Sequence, residues 1–346
     1  MTALTVPAGP GENASPRPVP WRRMAWVTWR QHRIALGGVA ALLGALAIYL
    51  WLTGLQMHHA YAAAVACHPA SSFACGDAVS NFNNTHSQTA VAIAVLLQVV
   101  PALVGAFTGA PMLARELETG TFRYTWTLGF SRWRWTLGKL VPLAVTVAVA
   151  AGAFSVLSSW AFQPFFADGN QSALAPSVFD LRGVAFAAWT LAAFAIGALA
   201  GMLIRRVVPA IAATLAVYAG LAVAAGMFLR QHYMTPLLTS NPNVPGSELG
   251  SRPSVPDSAW ILSQQWQTRG GQPVSESVLN QVLQGSPQLA GGKGGIPQSD
   301  SVTQYLMQHG YTLWTTYQPA SRFWPFQWIE GGWLAGRSST ACTRVA

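Results

Sequence analysis

Five long apolar stretches alternate with short polar segments along the chain. They lie at 34–55, 90–113, 137–162, 183–204 and 208–229. A hydrocarbon core of about 30 Å is crossed by about 20 helical residues, so each stretch predicts a transmembrane helix. A sixth apolar stretch, Phe323 to Ala335, is short and interrupted by Glu330-Gly331-Gly332, and it is predicted to lack the length to cross unaided.

Composition supports a chain that is mostly embedded in a bilayer. Hydrophobic residues make up 51% of the 346 positions and charged residues 9%, against roughly one quarter charged in soluble domains. The net charge of +9 is scattered at the ends of apolar stretches and forms no single basic face, which argues against nucleic-acid binding. We therefore predict an all-α polytopic membrane protein with five clear spans and a short or truncated sixth.

The distribution of Lys and Arg predicts the orientation, because cytoplasmic loops retain positive charge. Basic residues cluster before the first span, between the second and third, and between the fourth and fifth. These three segments fall on one side of the membrane, whereas the loop at 56–89 has no Lys or Arg. The expected location is the cell membrane, with a cytoplasmic N-terminus.

Segments outside the spans have different predicted characters. Residues 1–20 are rich in Pro, Gly and Ser and predict a disordered cytoplasmic tail. Residues 21–33 interleave Trp and Arg, which suits either a helix in the membrane interface or a basic flank of the first span. Residues 34–229 form the predicted bundle, and 323–346 form an incomplete sixth span with an aberrant polar tail.

The segment at 230–322 predicts a small external cap, mainly helical. Pro256-Asp257-Ser258 is typical of a helix start, and apolar residues from Val278 to Leu283 recur at helical spacing. Ser299-Asp300 predicts the start of a helix that Gly310 ends, while Tyr311 to Tyr317 predicts extended chain.

Cysteine and histidine residues gather in the loop at 56–89. A disulfide between Cys67 and Cys75 fits the oxidising side of a membrane, and two free thiols are the alternative. A metal site is a third reading, because soft and imidazole ligands lie close in sequence, but their spacing fits no common zinc pattern. These candidates are His58, His59, Cys67, His68 and Cys75.

Enzymatic chemistry is not indicated in this chain. No ionisable residue lies in the middle of the five predicted spans, where proton relays and intramembrane proteases place theirs. There is no His-Glu-x-x-His helix, no Gly-x-Ser-x-Gly elbow and no Gly-rich phosphate loop. We predict no catalytic residue, no bound metal and no cofactor, so any energy for work would come from another chain.

The polar loop between the second and third spans carries the most distinctive motif. It reads Arg-Glu-Leu-Glu-Thr-Gly-Thr-Phe-Arg from Arg115 to Arg123, followed by a basic and aromatic run from Ser131 to Lys139. A short polar and aromatic loop suits docking to another protein at the membrane surface. The alternative is a solvated loop whose arginines only fix topology.

This motif resembles the loop of ABC-type transporter permeases of the type-two exporter class. In that family a Glu-x-Gly-Thr loop lies beside a coupling helix that receives force from a separate ATPase subunit. The matching positions here are Glu118, Gly120 and Thr121. Flanking positions that the resemblance assigns to the ATPase-coupling loop are Arg115, Glu116, Arg123, Ser131 and Arg132.

The resemblance implies a permease that works as a homodimer or permease pair in membrane lipid, with a cytoplasmic ABC ATPase that uses ATP. Substrate identity cannot be read from the sequence, although an interior of Ala, Leu and Val suits hydrophobic molecules. Family members have six spans, so the polar residues after Gly336 imply a truncated last helix. A membrane-anchored sensor or interaction protein without transport activity is the second hypothesis.

Overall fold

A computed structural model describes residues 21–68, 73–119, 132–167, 171–240, 255, 258–284 and 305–344. Helix α1 (Trp21–Val65) is continuous over 45 residues, about 67 Å at 1.5 Å per residue. No break therefore separates the predicted interfacial helix at 21–33 from the first span.

The second span is built from several consecutive helical pieces. Its elements are α2 (Phe73–Gln98), α3 (Val100–Val104), a π-helical turn (Gly105–Gly109) and α4 (Ala110–Thr119). The predicted loop at 56–89 is wrong in extent, because helices occupy residues 56–65 and 73–89. Aromatic contacts hold these helical ends of α1 and α2 in place. The centres of the stacked His58 and Trp160 rings lie 4.8 Å apart, and those of the Phe82 and Phe165 rings lie 5.5 Å apart.

The remaining helices of the bundle follow in chain order. They are α5 (Arg132–Ala161), α6 (Gln163–Ala167), α7 (Pro176–Phe179), α8 (Gly183–Ile204) and α9 (Val207–Ala224). A π-helical turn (Ala225–Leu229) and a 3-10 turn (Arg230–His232) extend α9. Helix α8 is central: it packs against α3, α4, α5 and α9, and its buried face includes Phe186, Trp189 and Phe194.

Five helical stretches in the described part are long and apolar enough to cross a membrane, which confirms the five predicted spans. They cover Gly37–Val65, Ala74–Arg115, Leu140–Ala161, Gly183–Ile204 and Val207–His232. The link at Arg205 and Arg206 and the ends of α4 and α5 that face residues 120–131 lie at one end of the bundle, here called the arginine side. The opposite end, which carries the strands, is the sheet side.

The segment after the fifth span contains a small antiparallel sheet. Its strands are β1 (Leu237–Ser240), β2 (Trp260–Gln267) and β3 (Thr312–Gln318), in the order β1-β3-β2. The predicted helix start before Ala259 is wrong, because residues 260–267 pair with β3. Helix α10 (Glu276–Gln284) and the extended chain near 311–317 confirm those two predictions. Residues 299–304 lie outside the described part.

Helix α11 (Phe323–Arg344) has 22 residues and is not interrupted at Glu330-Gly331-Gly332. It starts at the sheet side and runs parallel to α8, since Gln327 contacts Ala185 and Glu330 contacts Trp189. The Gln327 side chain is wholly buried, accepts from Ala185 N–H at 2.7 Å and donates to Phe179 O at 3.1 Å. These contacts fix the first half of α11 in the bundle.

Candidate functional site

The predicted coupling loop begins at the arginine-side end of α4. Arg115 and Glu118 are exposed there. Gly120, Thr121, Arg123 and Ser131 lie outside the described residues, as does the side chain of Glu116. Arg132 is the first residue of α5, so residues 120–131 separate α4 from α5 in sequence.

Close helix packing connects this loop to the centre of the bundle. Gly105 and Gly109 face Gly197 and Gly201 of α8, and an added Cβ would approach backbone atoms of the opposite helix at all four. At Gly109 the Cβ would lie 2.5 Å from Phe194 O, and at Gly201 it would lie 2.5 Å from Ala110 O. The small residues therefore let the two backbones touch within one chain. A shift of α4 must consequently be transmitted to α8.

Helix α5 and the segments that precede α4 also line a large apolar cavity. It has a volume of about 480 Å³ and is walled by α1, α3, the first π-helical turn, α5 and α8. Its polar lining residues Thr108, Thr146 and Thr190 donate their hydroxyls to carbonyls of their own helices, at 2.6, 2.9 and 2.7 Å. The donors are thus used within each helix, and the walls present hydrocarbon. A cavity of this kind suits an apolar ligand.

A buried ion cluster ties three distant segments together at the sheet side. Arg230 Nε donates to Glu330 Oε2 at 3.2 Å, and its Nη2 donates to Glu330 Oε1 at 3.0 Å and to Asp180 Oδ1 at 2.5 Å. Trp189 Nε1 donates to Glu330 Oε1 at 2.7 Å. The Arg230 guanidinium also lies 4.3 Å from the centre of the Phe179 ring. Arg230 and Glu330 are fully buried, so the cluster fixes α9 and α11 to the start of α8.

Sequence reasoning missed this cluster. Asp180 precedes the predicted fourth span, Arg230 follows the predicted fifth, and Glu330 interrupts the sixth apolar stretch, so the three lie in separate segments of the sequence. The only signal is that Arg230 and Glu330 each lie beside apolar residues without an Asp, Glu, Lys or Arg close by in sequence, whereas Asp180 is followed by Arg182. Charge buried in a membrane protein is costly and commonly functional.

The cluster has two carboxylates and one guanidinium, which changes the proton affinity of Asp180. Burial raises the pKa of Asp180 from 3.8 to about 7, and Glu330 adds to that rise, while Arg230 opposes it. Burial also lowers the pKa of Arg182, whose guanidinium lies 4.1 Å from the centre of the Phe166 ring.

Cys67 and Cys75 form a disulfide in the structure, with their Cα atoms 5.5 Å apart. The bridge joins the end of α1 to the start of α2 at the sheet side. His58 is engaged elsewhere, since its Nε2 lies 2.9 Å from Trp160 O. Among the described residues no group of three His, Cys, Asp or Glu side chains is placed to hold a metal ion.

The family model described as ABC-2 membrane transporter related matches residues 40–230, more than half of the chain. The chain belongs to the ABC-2 membrane transporter related family. It is a multi-pass membrane protein and a transport permease, the membrane component of such a system and not its catalytic part. No curated protein and no solved structure matches the chain.

Proposed function

We propose that this ABC-2 permease exports an apolar or amphipathic substrate, driven by ATP hydrolysis in a separate cytoplasmic ABC ATPase. The family implies such an ATPase in general terms. The observation that carries the proposal is the wall of the 480 Å³ cavity. It includes α5, which begins directly after residues 120–131, and α3 with the first π-helical turn, which continue into α4 before those residues. The sensor hypothesis gives no reason for this connection.

The proposed mechanism transmits movement from the loop to the cavity. An ATPase that pushes on residues 115–132 would displace the ends of α4 and α5. Because glycine contacts lock α4 and the first π-helical turn onto α8, the displacement carries α8 with it. Three walls of the cavity then move against α1. This movement opens the cavity alternately to one membrane face and to the other. Two copies of the permease, with cytoplasmic N-termini, would pair with two ATPase subunits.

Charge reversal tests the coupling loop. The double variant Glu116→Lys/Glu118→Lys should lose the co-purifying ATPase subunit, because it reverses the charge at the proposed contact. Glu276→Lys is the matched control, since Glu276 is exposed on α10 beyond the sheet side. Equal recovery of the ATPase with the wild type, the double variant and Glu276→Lys would contradict the assignment and favour the sensor hypothesis.

Cavity filling tests the substrate class. Ala150 and Ala153 are both exposed on the same helix, but only Ala150 lines the cavity. Efflux of the uncharged dye Nile red from cells should fall with Ala150→Phe and persist with Ala153→Phe. Equal efflux from both variants would contradict the assignment of this cavity to the substrate.

A further inference from the structure

A second cavity lies beside the ion cluster at the sheet side. Its volume is about 240 Å³, and we call it the Asp180 cavity because the Asp180 carboxyl lines it. The other lining residues that matter here are Gln98, Phe186, Trp189, Tyr218 and Gly226. Val223 and Met227 also line it and are exposed, so the cavity opens on the outer surface of the helices.

The charge around this cavity is unbalanced. With both carboxyls ionised, Asp180, Glu330 and Arg230 sum to one negative charge. Glu330 is completely buried behind Trp189 and Arg230, whereas the Asp180 side chain is 24% exposed. No Lys or Arg is among the described residues that line the cavity. The excess negative charge is therefore accessible from the cavity through Asp180, in surroundings where a charge attracts strongly.

The remaining walls suit an organic cation. Phe186, Trp189 and Tyr218 supply aromatic rings, and Trp189 and Tyr218 meet edge to face with ring centres 5.5 Å apart. Aromatic rings beside a carboxylate are the usual environment for quaternary ammonium groups. Gln98 donates to Pro176 O at 3.0 Å and to Ser177 O at 2.9 Å, which fixes its amide and leaves its carbonyl oxygen as an acceptor.

We propose that the Asp180 cavity binds a small organic cation, a quaternary or protonated amine, held by the Asp180 carboxylate and the three aromatic side chains. The amine can be a free molecule or the headgroup of a lipid. Apart from Phe186, which lines both, the site has different lining residues from the 480 Å³ cavity assigned to the transported substrate, and it does not depend on the export proposal.

Binding should depend on pH, because protonation of Asp180 removes the accessible negative charge. Arg230 and Glu330 contact Asp180, Tyr218 lies on the facing helix, and Arg182 follows in the same loop. The pKa of Asp180 itself is raised to about 7, so its carboxyl is mostly protonated below pH 7 and mostly ionised at pH 8. The cation should therefore bind more weakly below pH 7 than at pH 8.

The test is calorimetric titration of the purified full-length protein with tetramethylammonium at pH 8. Asp180→Asn should weaken binding at least tenfold and remove its pH dependence. Gly226→Leu should abolish binding by filling the cavity, since an added Cβ at Gly226 meets no atom within 4 Å. Gly220→Leu is the matched control: Gly220 is on the same helical stretch, is equally open and does not line the cavity.

The source of the amine is identified by mass spectrometry of lipids that co-purify. Enrichment of choline or ethanolamine lipids with the wild type over Gly226→Leu assigns a lipid headgroup, and tetramethylammonium binding without that enrichment assigns a free cation. Absence of both overturns the proposal, as does equal binding by Gly226→Leu and Gly220→Leu. If Asp180→Asn does not fold, the comparison of Gly226→Leu with Gly220→Leu tests the proposal.

Discussion

Replacing Arg230 with methionine removes the guanidinium that joins Asp180 and Glu330. The side chain is fully buried and makes two hydrogen bonds to Glu330, one to Asp180 and a ring contact with Phe179. Methionine preserves much of the packing but leaves two carboxyls without their cation. Breaking a buried ion pair in this way costs about 3–5 kcal/mol, so Arg230→Met should lower the free energy of unfolding by about that amount.

Removing the charge of Glu330 is expected to cost less. Glu330→Gln keeps an oxygen that can accept from Trp189 Nε1, and the loss is that of charged hydrogen bonds, about 1.5–3 kcal/mol. The double variant Arg230→Met/Glu330→Met should lower the free energy of unfolding by less than the sum of the two single methionine variants. In the double variant both members of the Arg230–Glu330 pair are removed, whereas each single variant leaves the other member charged and unpaired.

Unfolding in mixed micelles with increasing dodecyl sulfate, followed by tryptophan fluorescence, measures these differences. Arg206→Met is the control, since Arg206 is exposed between α8 and α9 and should change the unfolding free energy by about 0.5 kcal/mol or less. An Arg230→Met variant as stable as Arg206→Met would refute the structural role of the cluster.

Three further predictions concern other parts of the fold. Gly197→Leu should destabilise the protein by about 1–3 kcal/mol or prevent folding, because its Cβ would lie 2.9 Å from Ala110 N, and Gly220→Leu should be tolerated in the same assay. The pKa of Asp180 is raised from 3.8 in the unfolded chain to about 7 in the folded protein, so folding favours the protonated carboxyl. Asp180 therefore adds to the free energy of unfolding in full below about pH 4, and this contribution is lost as the pH rises to about 7. Asp180→Asn should flatten that part of the stability profile, and an unchanged profile would exclude Asp180 as its source. Cys67 and Cys75 should react with maleimide only after reduction, and labelling of either of these two residues before reduction would show free thiols. The bridge, across a separation of 8 residues, should stabilise the protein by about 2.5 kcal/mol.

The spans were predictable where apolar sequence ends in charge. Residues 183–204 were predicted as a span and form α8, which ends where Arg205 adopts the left-handed conformation with φ of 57°. The sheet-side ends of α1 and α2 were not predictable, because polar residues such as His58 and Asn83 are typical of loops. They are helical because tertiary contacts with Trp160 and Phe165 hold the turns around them.

Long-range pairing explains the other differences from the sequence-based predictions. Residues 260–267 form a strand because they pair with β3, about fifty positions later in the chain, whereas Pro256-Asp257-Ser258 indicated a local helix start. The ion cluster joins Asp180, Arg230 and Glu330 across 50 and 100 positions. No spacing rule relates residues so far apart, so only the packed structure brings them together.

Affinity purification of the tagged protein from its native membranes, with measurement of ATP hydrolysis, is the decisive experiment for ATP-driven export. We expect a subunit with a nucleotide-binding P-loop to co-purify in stoichiometric amount and to hydrolyse ATP, and Glu116→Lys/Glu118→Lys to remove it. Recovery of the intact permease alone, without ATPase activity, would show that the permease does not work with an ABC ATPase.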